Sequence, residues 1–359
     1  MKWGILISPG AHAPAQVKKA EACGFDSAFF IDSPMIFGDL YVSMAAAAVQ
    51  TRTIMLSTGV TNPLTRSAPV TAANLASLNA LAPGRIALGI SVGFTANFAM
   101  GKRNATLAEL EAYVQALRGM LRGDTVEADV SGERVFVQFL NTQGPWVNVT
   151  DRIPFYVAGA GPKSLELAGQ IGDAVMLGGI ANVDIIEACK ACVQKGAARA
   201  GRKMEEIELA ITPSIYVTEK EPTLDHLREV LGPKSLAPAA LYSRIAESSG
   251  TVPKSVTRDL VKVRDAAYAP ELDPNEDPRR RHLKAYRGYL TQLKEWQYPL
   301  VTETVLDATS IAGTVEQCLA KIKLLRAHGI GHIILSPLPQ HMDATIETYG
   351  ARILPRAPK

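Results

Sequence analysis

Residues 53–90 read TIMLSTGVTNPLTRSAPVTAANLASLNALAPGRIALGI, and the order of patterns within them sets the fold. A short β-rich apolar run at 53–57 passes through the turn-forming Thr58-Gly59-Val60-Thr61-Asn62-Pro63 into a helical pattern at 68–81, and another apolar run follows at 85–90. Strand, loop, helix and strand in that order make a βα unit of parallel sheet, because parallel neighbours need a crossover long enough to hold a helix.

The alternation continues in both directions. Upstream lie a strand at 4–8 with a helix at 14–23, and a strand at 27–31 with a helix at 41–50; downstream a helix at 107–121 follows the fourth strand. Further strand-like runs at 155–158, 174–177, 207–217 and 332–336 bring the total to eight. Eight such units predict an α/β protein, a single (β/α)8 TIM barrel spanning residues 1–359. Two stretches interrupt it. Residues 124–150 read as an excursion of short strands with turn residues at Ser131-Gly132. The largest insertion, 219–298, is polar, proline-containing and partly helical, and comes after the seventh strand. Loops on that side form the mouth of a barrel, so a lid or substrate wall is expected there, with burial against a second copy as the competing expectation.

Hydrophobic residues make up 47% of the 359 and charged residues 20%, the balance of a globular enzyme with a large core. The 38 basic and 35 acidic residues are interleaved, and a net charge of +3 without a basic stripe excludes a nucleic-acid footprint. The local run Arg279-Arg280-Arg281 reads as a solvated loop. No apolar run approaches the roughly 18 residues of a membrane span, the N-terminus lacks a secretory pattern, and a cytoplasmic location is expected. Cys189 and Cys192 form a C-x2-C inside a helical pattern with no second pair or histidine nearby, so buried helix cysteines are expected and no metal site.

The chemistry is expected at loops that follow strands. Thr58 to Pro63 follows the third, and Ser91-Val92-Gly93-Phe94 the fourth. Gly159-Ala160-Gly161-Pro162-Lys163-Ser164 follows the fifth and opens a helix, where exposed N–H groups and the helix dipole suit a phosphate. Gly178-Gly179 follows the sixth, beside it.

Read together these segments resemble the bacterial-luciferase-like flavin oxidoreductases, and within them the methylenetetrahydromethanopterin-reductase-like branch. The resemblance lies in Ala20-Glu21-Ala22-Cys23-Gly24-Phe25-Asp26-Ser27, Leu56 to Arg66, Leu78-Asn79-Ala80-Leu81-Ala82-Pro83-Gly84-Arg85, Pro154 to Ala158 with its glycine loop, Leu167 to Asp173, and Ala312-Gly313-Thr314-Val315-Glu316. It implies cofactor-ring contacts at Thr58, Gly59, Val60, Ser91 and Gly93, with a non-prolyl cis peptide at Gly59-Val60. It implies a phosphate loop at Gly159, Ala160, Gly161, Pro162 and Lys163, with Gly178 and Gly179 adjoining. A side chain at Gly59 is expected to block the ring and leave the barrel folded. Asp32 matches an aspartate at the end of strand two, which many relatives follow with histidine; here Ser33 follows, removing an acid/base group.

In such enzymes the cofactor carries the redox chemistry and the protein supplies orientation and water exclusion. His12, after the first strand, is the proposed catalytic acid/base, and Arg281, His282, Tyr286 and Trp296 of the insertion are the substrate or lid candidates. The resemblance is read first as a reduced-FMN-dependent monooxygenase acting on a small organic substrate, with a separate flavin reductase as supplier and a homodimer or higher homo-oligomer as the assembly. The alternatives are a deazaflavin (F-420 type) hydride-transfer reductase or dehydrogenase, and a catalytically silent flavin-binding barrel.

Overall fold

The computed structural model describes residues 1–267, 275–285, 288 and 290–358. Eight strands form a closed barrel: β1 Lys2–Ile7, β2 Ser27–Phe30, β3 Met55–Thr58, β4 Ile86–Ile90, β5 Phe155–Ala158, β6 Ala174–Leu177, β7 Glu208–Ile211 and β8 His332–Leu335. Each pairs in parallel with its neighbour in sequence, and β8 closes on β1 with Lys2 opposite His332. β2, β4, β6 and β8 are buried along their whole length, which is why they read as continuous apolar runs.

The barrel interior is filled from the bottom upward. At the N-terminal end, Ser27 Oγ lies 2.8 Å from His332 Nε2, and Lys2 Nζ donates to Glu208 Oε2 at 2.7 Å. Above them the rings of Phe29, Tyr156 and His332 meet edge-on with centroids 5.3 to 5.9 Å apart. Leu6, Val60 and Ala158 lie half-buried on this inner cluster and give the C-terminal mouth an apolar floor.

Around the barrel run α1 Ala13–Ala22, α2 Leu40–Ala48, α3 Ala68–Leu81, a short α4 Phe94–Ala99, α5 Leu107–Leu121, α6 Pro162–Ile171 and α7 Val183–Arg199. Their starts are set by side chains: Asp39 caps α2, Asn182 caps α7, and Thr106 with Glu109 forms a capping box on α5. The excursion after α5 is an antiparallel hairpin, Val126–Val130 with Glu133–Val137, turning at Ser131 and Gly132, both with positive φ.

The run at 207–217 is not one strand. β7 stops at Ile211, and a separate strand, Ser214–Thr218, leaves the barrel to pair in parallel with Ser310–Thr314. Pro213 between them has no N–H for a ladder, and its carbonyl instead accepts the backbone N–H of Ser336. The insertion then builds α8 Leu224–Ser249, α9 Lys254–Ala266 and α10 Arg281–Ala285; α11 Glu303–Thr309 follows it before α12 Val315–Ala327, with α13 Met342–Thr348 after β8. The apolar side chains of α8, among them Leu231, Leu236, Tyr242 and Ile245, are buried within this one chain.

Candidate active site

At the end of β2, Asp32 is buried, and its Oδ2 accepts from Thr61 Oγ1 at 2.6 Å and Arg66 Nη1 at 2.8 Å. Arg66 also donates to Asp39 and stands 4.9 Å over the Tyr41 ring. Burial pushes the Asp32 carboxyl above its ordinary pKa, and the Arg66 charge with the Thr61 hydrogen bond pulls the other way. The aspartate therefore ties the second and third strand loops together through Oδ2. His12 caps α1 without a side-chain hydrogen bond, exposed, its ring against Gly10. Ser33 is buried.

The loop after β3 contains a cis peptide at Gly59-Val60. Thr58 is buried, and its hydroxyl is spent on β4, donating to the Gly89 carbonyl at 2.6 Å while accepting the Gly89 N–H at 2.9 Å. A Cβ on Gly59 would lie 2.7 Å from Phe29 Cβ and 3.1 Å from Leu6 Cδ1. It points down into the barrel, so the expectation that a side chain there blocks only the cofactor is corrected: it would wedge the interior. Val60 is the residue of this loop that joins the apolar floor. Gly93, at φ +86°, is wedged between the buried side chains of Asn62 and Asn97, where no Cβ fits. Asn62 Nδ2 and Asn97 Oδ1 have no hydrogen-bond partner among the described residues. Ser91 is half-buried beside them, its N–H donating to the Thr61 carbonyl.

After β5, the neighbour of β4, Gly159, Ala160, Gly161 and Pro162 are half-buried and Lys163 is exposed. Ser164 Oγ donates to the Gly161 carbonyl at 2.9 Å and fixes the turn into α6, and a Cβ on Gly161 would meet nothing closer than that hydroxyl at 3.8 Å. An open backbone at the start of a ten-residue helix fits a phosphate. Gly178 is similarly open, whereas Gly179, at φ +71°, has Pro238 of α8 packed where a Cβ would go.

The insertion reaches this mouth at several points. α8 sets Pro238 on Gly179, Tyr242 Oη 3.5 Å from the Gly159 carbonyl, and Lys234 Nζ 3.2 Å from Ser336 Oγ and 2.6 Å from the Pro337 carbonyl. It thus touches the loops after β5, β6 and β8. α10 packs on α4, with the His282 ring against Gly101, and Arg281 Nε donates to the Glu276 carbonyl. Trp296 donates to the Ala267 carbonyl at the end of α9 and lies under Lys294, so it is held by the outer helices. Tyr286 lies outside the described residues. Lys234 and Arg66 were not singled out from the sequence; the signal for Lys234 is a lone charge inside the otherwise apolar and small stretch 230–239.

A closed parallel barrel with an apolar mouth floor, a cis peptide after β3 and a glycine loop after β5 is the scaffold of a coenzyme-dependent oxidoreductase, and the chain belongs to the luciferase-like monooxygenase family, which it matches over residues 6–332. It lies in the methylenetetrahydromethanopterin-reductase-like branch: it is 30% identical to the 5,10-methylenetetrahydromethanopterin reductase of Methanolobus tindarius over 94% of both chains. It is 31% identical to the F420-dependent glucose-6-phosphate dehydrogenase of Beutenbergia cavernae over 68% of this chain and 75% of that one. The fold matches the coenzyme F420-dependent tetrahydromethanopterin reductase of Methanopyrus kandleri with a TM-score of 0.68, 22% identity and 99% of each chain covered. These relatives correct the reading as a reduced-FMN monooxygenase. The family name speaks of monooxygenation, but the relatives aligned along most of the chain are named as reductases and F420-dependent dehydrogenases. Among the described residues no helix is long and apolar enough to cross a membrane.

Proposed function

We propose that this protein is a deazaflavin (F420-type) dependent hydride-transfer enzyme, a reductase or dehydrogenase of a small organic substrate. The observation that carries the proposal is the near-complete alignment with a methylenetetrahydromethanopterin reductase, supported by F420-dependent dehydrogenases among the other relatives. The mouth fits such a coenzyme. Leu6, Val60 and Ala158 offer an apolar face to a planar ring, Ser91 and Gly93 border it, and Gly159 to Lys163 at the start of α6 would hold the phosphate. When bound, a deazaflavin supplies or accepts a hydride. The protein orients the ring on its floor and, through α8 and α10, shields it from water. Asp32 braces the two loops beneath the ring, its Oδ2 held by Thr61 and Arg66. The homo-oligomer belongs to the same proposal, supported by Val42 on α2 and Val49 at its C-terminal cap, 71% and 67% exposed.

The test is a fluorescence titration of the purified protein with F420 and, separately, with FMN. Saturable binding of F420 at micromolar concentrations, with FMN weaker by at least about tenfold, is expected. Preferential FMN binding with no F420 binding overturns the reading.

A further inference from the structure

Lys234 lies on α8 in a segment whose neighbours Val230, Leu231, Pro233, Leu236 and Ala237 are all buried, and it is itself only 8% exposed. A buried ammonium is costly unless a carboxylate neutralises it. Here both hydrogen-bond partners are neutral oxygens, the Ser336 hydroxyl and the Pro337 carbonyl. No charged or titratable group on α7, α9, α11 or the strand Ser214–Thr218, all packed on α8, perturbs it; burial alone acts on its charge. An ammonium has three N–H donors, two of which are used, and the third has no acceptor among the described residues.

Position adds to this. Ser336 and Pro337 directly follow β8, and Ser336 is tied by its N–H to the Pro213 carbonyl after β7. Lys234 therefore stands at the C-terminal end of the barrel, on the helix that also touches the loops after β5 and β6. Two other titratable groups near this end are placed differently: Asp32 Oδ2 is held by Thr61 and Arg66 at the end of β2, and His12 is exposed on the loop after β1, the neighbour of β8; His341, half-buried beyond Pro337, sets its ring against Tyr216. A neutral side chain would fasten α8 to β8 at less cost, so an unneutralised cation kept in this place points to use.

We propose that Lys234 is the proton-carrying group of this site, offering its third N–H to a substrate oxygen and exchanging a proton with it as hydride moves at the attached carbon. The proposal rests on the hydride-transfer reading above. In the reducing direction the carbonyl carbon would take a hydride from the reduced deazaflavin anion, which has already lost its ring N–H proton to solvent, and the C=O π pair would move onto oxygen. The Nζ–H bond then breaks, its electrons staying on nitrogen, as the O–H bond forms. Alcohol, neutral amine and oxidised coenzyme remain. Burial moves the Lys234 pKa down to about 7, so both forms of the amine are present near neutrality, as such a role requires.

Competitive labelling of the wild-type protein with formaldehyde and a borane reductant, resolved by peptide mass and followed from pH 5.5 to 9.5, reads the amine without coenzyme or substrate. Lys234 is expected to label with a midpoint near pH 7 and, at pH 7, about tenfold faster than exposed lysines. Slower labelling than exposed lysines at every pH, as for a sealed staple, overturns the proposal. The isosteric Lys234→Met separates the roles again. Because the folded pKa lies below the unfolded one, the cost of burying the charge is full below about pH 7 and fades as pH rises toward 10.5. The variant should melt several degrees higher at pH 6.5, with the gain shrinking as pH rises through that window; a lower Tm at every pH indicates a purely structural role. F420 affinity should stay within about threefold of wild type. If wild-type protein binds no F420 the hydride reading fails, whereas the labelling result decides Lys234 independently.

Discussion

At the foot of the barrel Glu208 accepts from Lys2 at 2.7 Å and lies 3.1 Å from His332 Nδ1, where Lys234 at the mouth has no charged partner at all. Burial raises the pKa of Glu208, but His332 and Lys2 outweigh it and hold the carboxyl at about 2. Its folded pKa is below the unfolded value of 4.5, so it contributes stability above that pH which is lost as pH falls from about 4.5 to about 2. Glu208→Gln should therefore cost about 2 kcal/mol at pH 7, after allowing for its partial exposure, and progressively less below pH 4.5. Urea unfolding at pH 7 and pH 3.5 checks this; an equal loss at both would mean that the charge is irrelevant and only packing was disturbed. Neither residue's environment could be read from the chain. Glu208 meets His332 across 124 residues and Lys234 meets Ser336 across 102, and only the closed fold brings them together.

The βα units were legible because four of the strands are buried along their whole length and several helices begin at a capping side chain or a proline. α3 and α5 begin and end where their patterns do. The run at 207–217 misled because its apolar character continues through Thr212-Pro213, while the direction of the chain changes there. Much of the text that reveals the family turns out to brace loops. Glu21 accepts the N–H groups of Arg52, Thr53 and Ile54, Asn79 bonds the carbonyls of Asn148 and Asp151, and Arg85 bonds those of Ala48, Thr51 and Ile54. Such text specifies the scaffold strongly and the reaction weakly, which is how an FMN reading could arise from a chain whose relatives use F420. The glycine loops differ among themselves in the same way. At Gly59 a side chain enters the barrel, but at Gly161 it enters open space beside the α6 N-terminus. Gly161→Asp should leave the melting temperature within a few degrees and weaken F420 by about tenfold or more, while the phosphate-free deazaflavin chromophore binds nearly as before, because the added anion meets only the phosphate. Equal weakening of both ligands would remove this loop from the phosphate site.

On the scale of the whole molecule, the insertion is the part whose purpose the barrel does not explain. A helix of 26 residues that buries its apolar face inside its own chain has little left to offer a second copy, which favours a cover over the mouth. Its three loop contacts, Pro238 on Gly179, Tyr242 beside Gly159 and Lys234 on Pro337, lie within nine residues of one helix, so displacing the central one should loosen the others. Gly179→Leu puts a side chain where Pro238 sits, at a backbone φ of +71° that already disfavours it, and should lift α8 from the barrel. If α8 covers the coenzyme, iodide should quench the fluorescence of bound F420 more strongly in this variant than in wild type, with the particle mass by light scattering unchanged. In wild type, amides of 230–242 should exchange more slowly once F420 is bound. Unchanged iodide access together with a smaller particle would instead assign the helix to an interface between copies, and the mouth would then have to be closed by α10 from the side of α4.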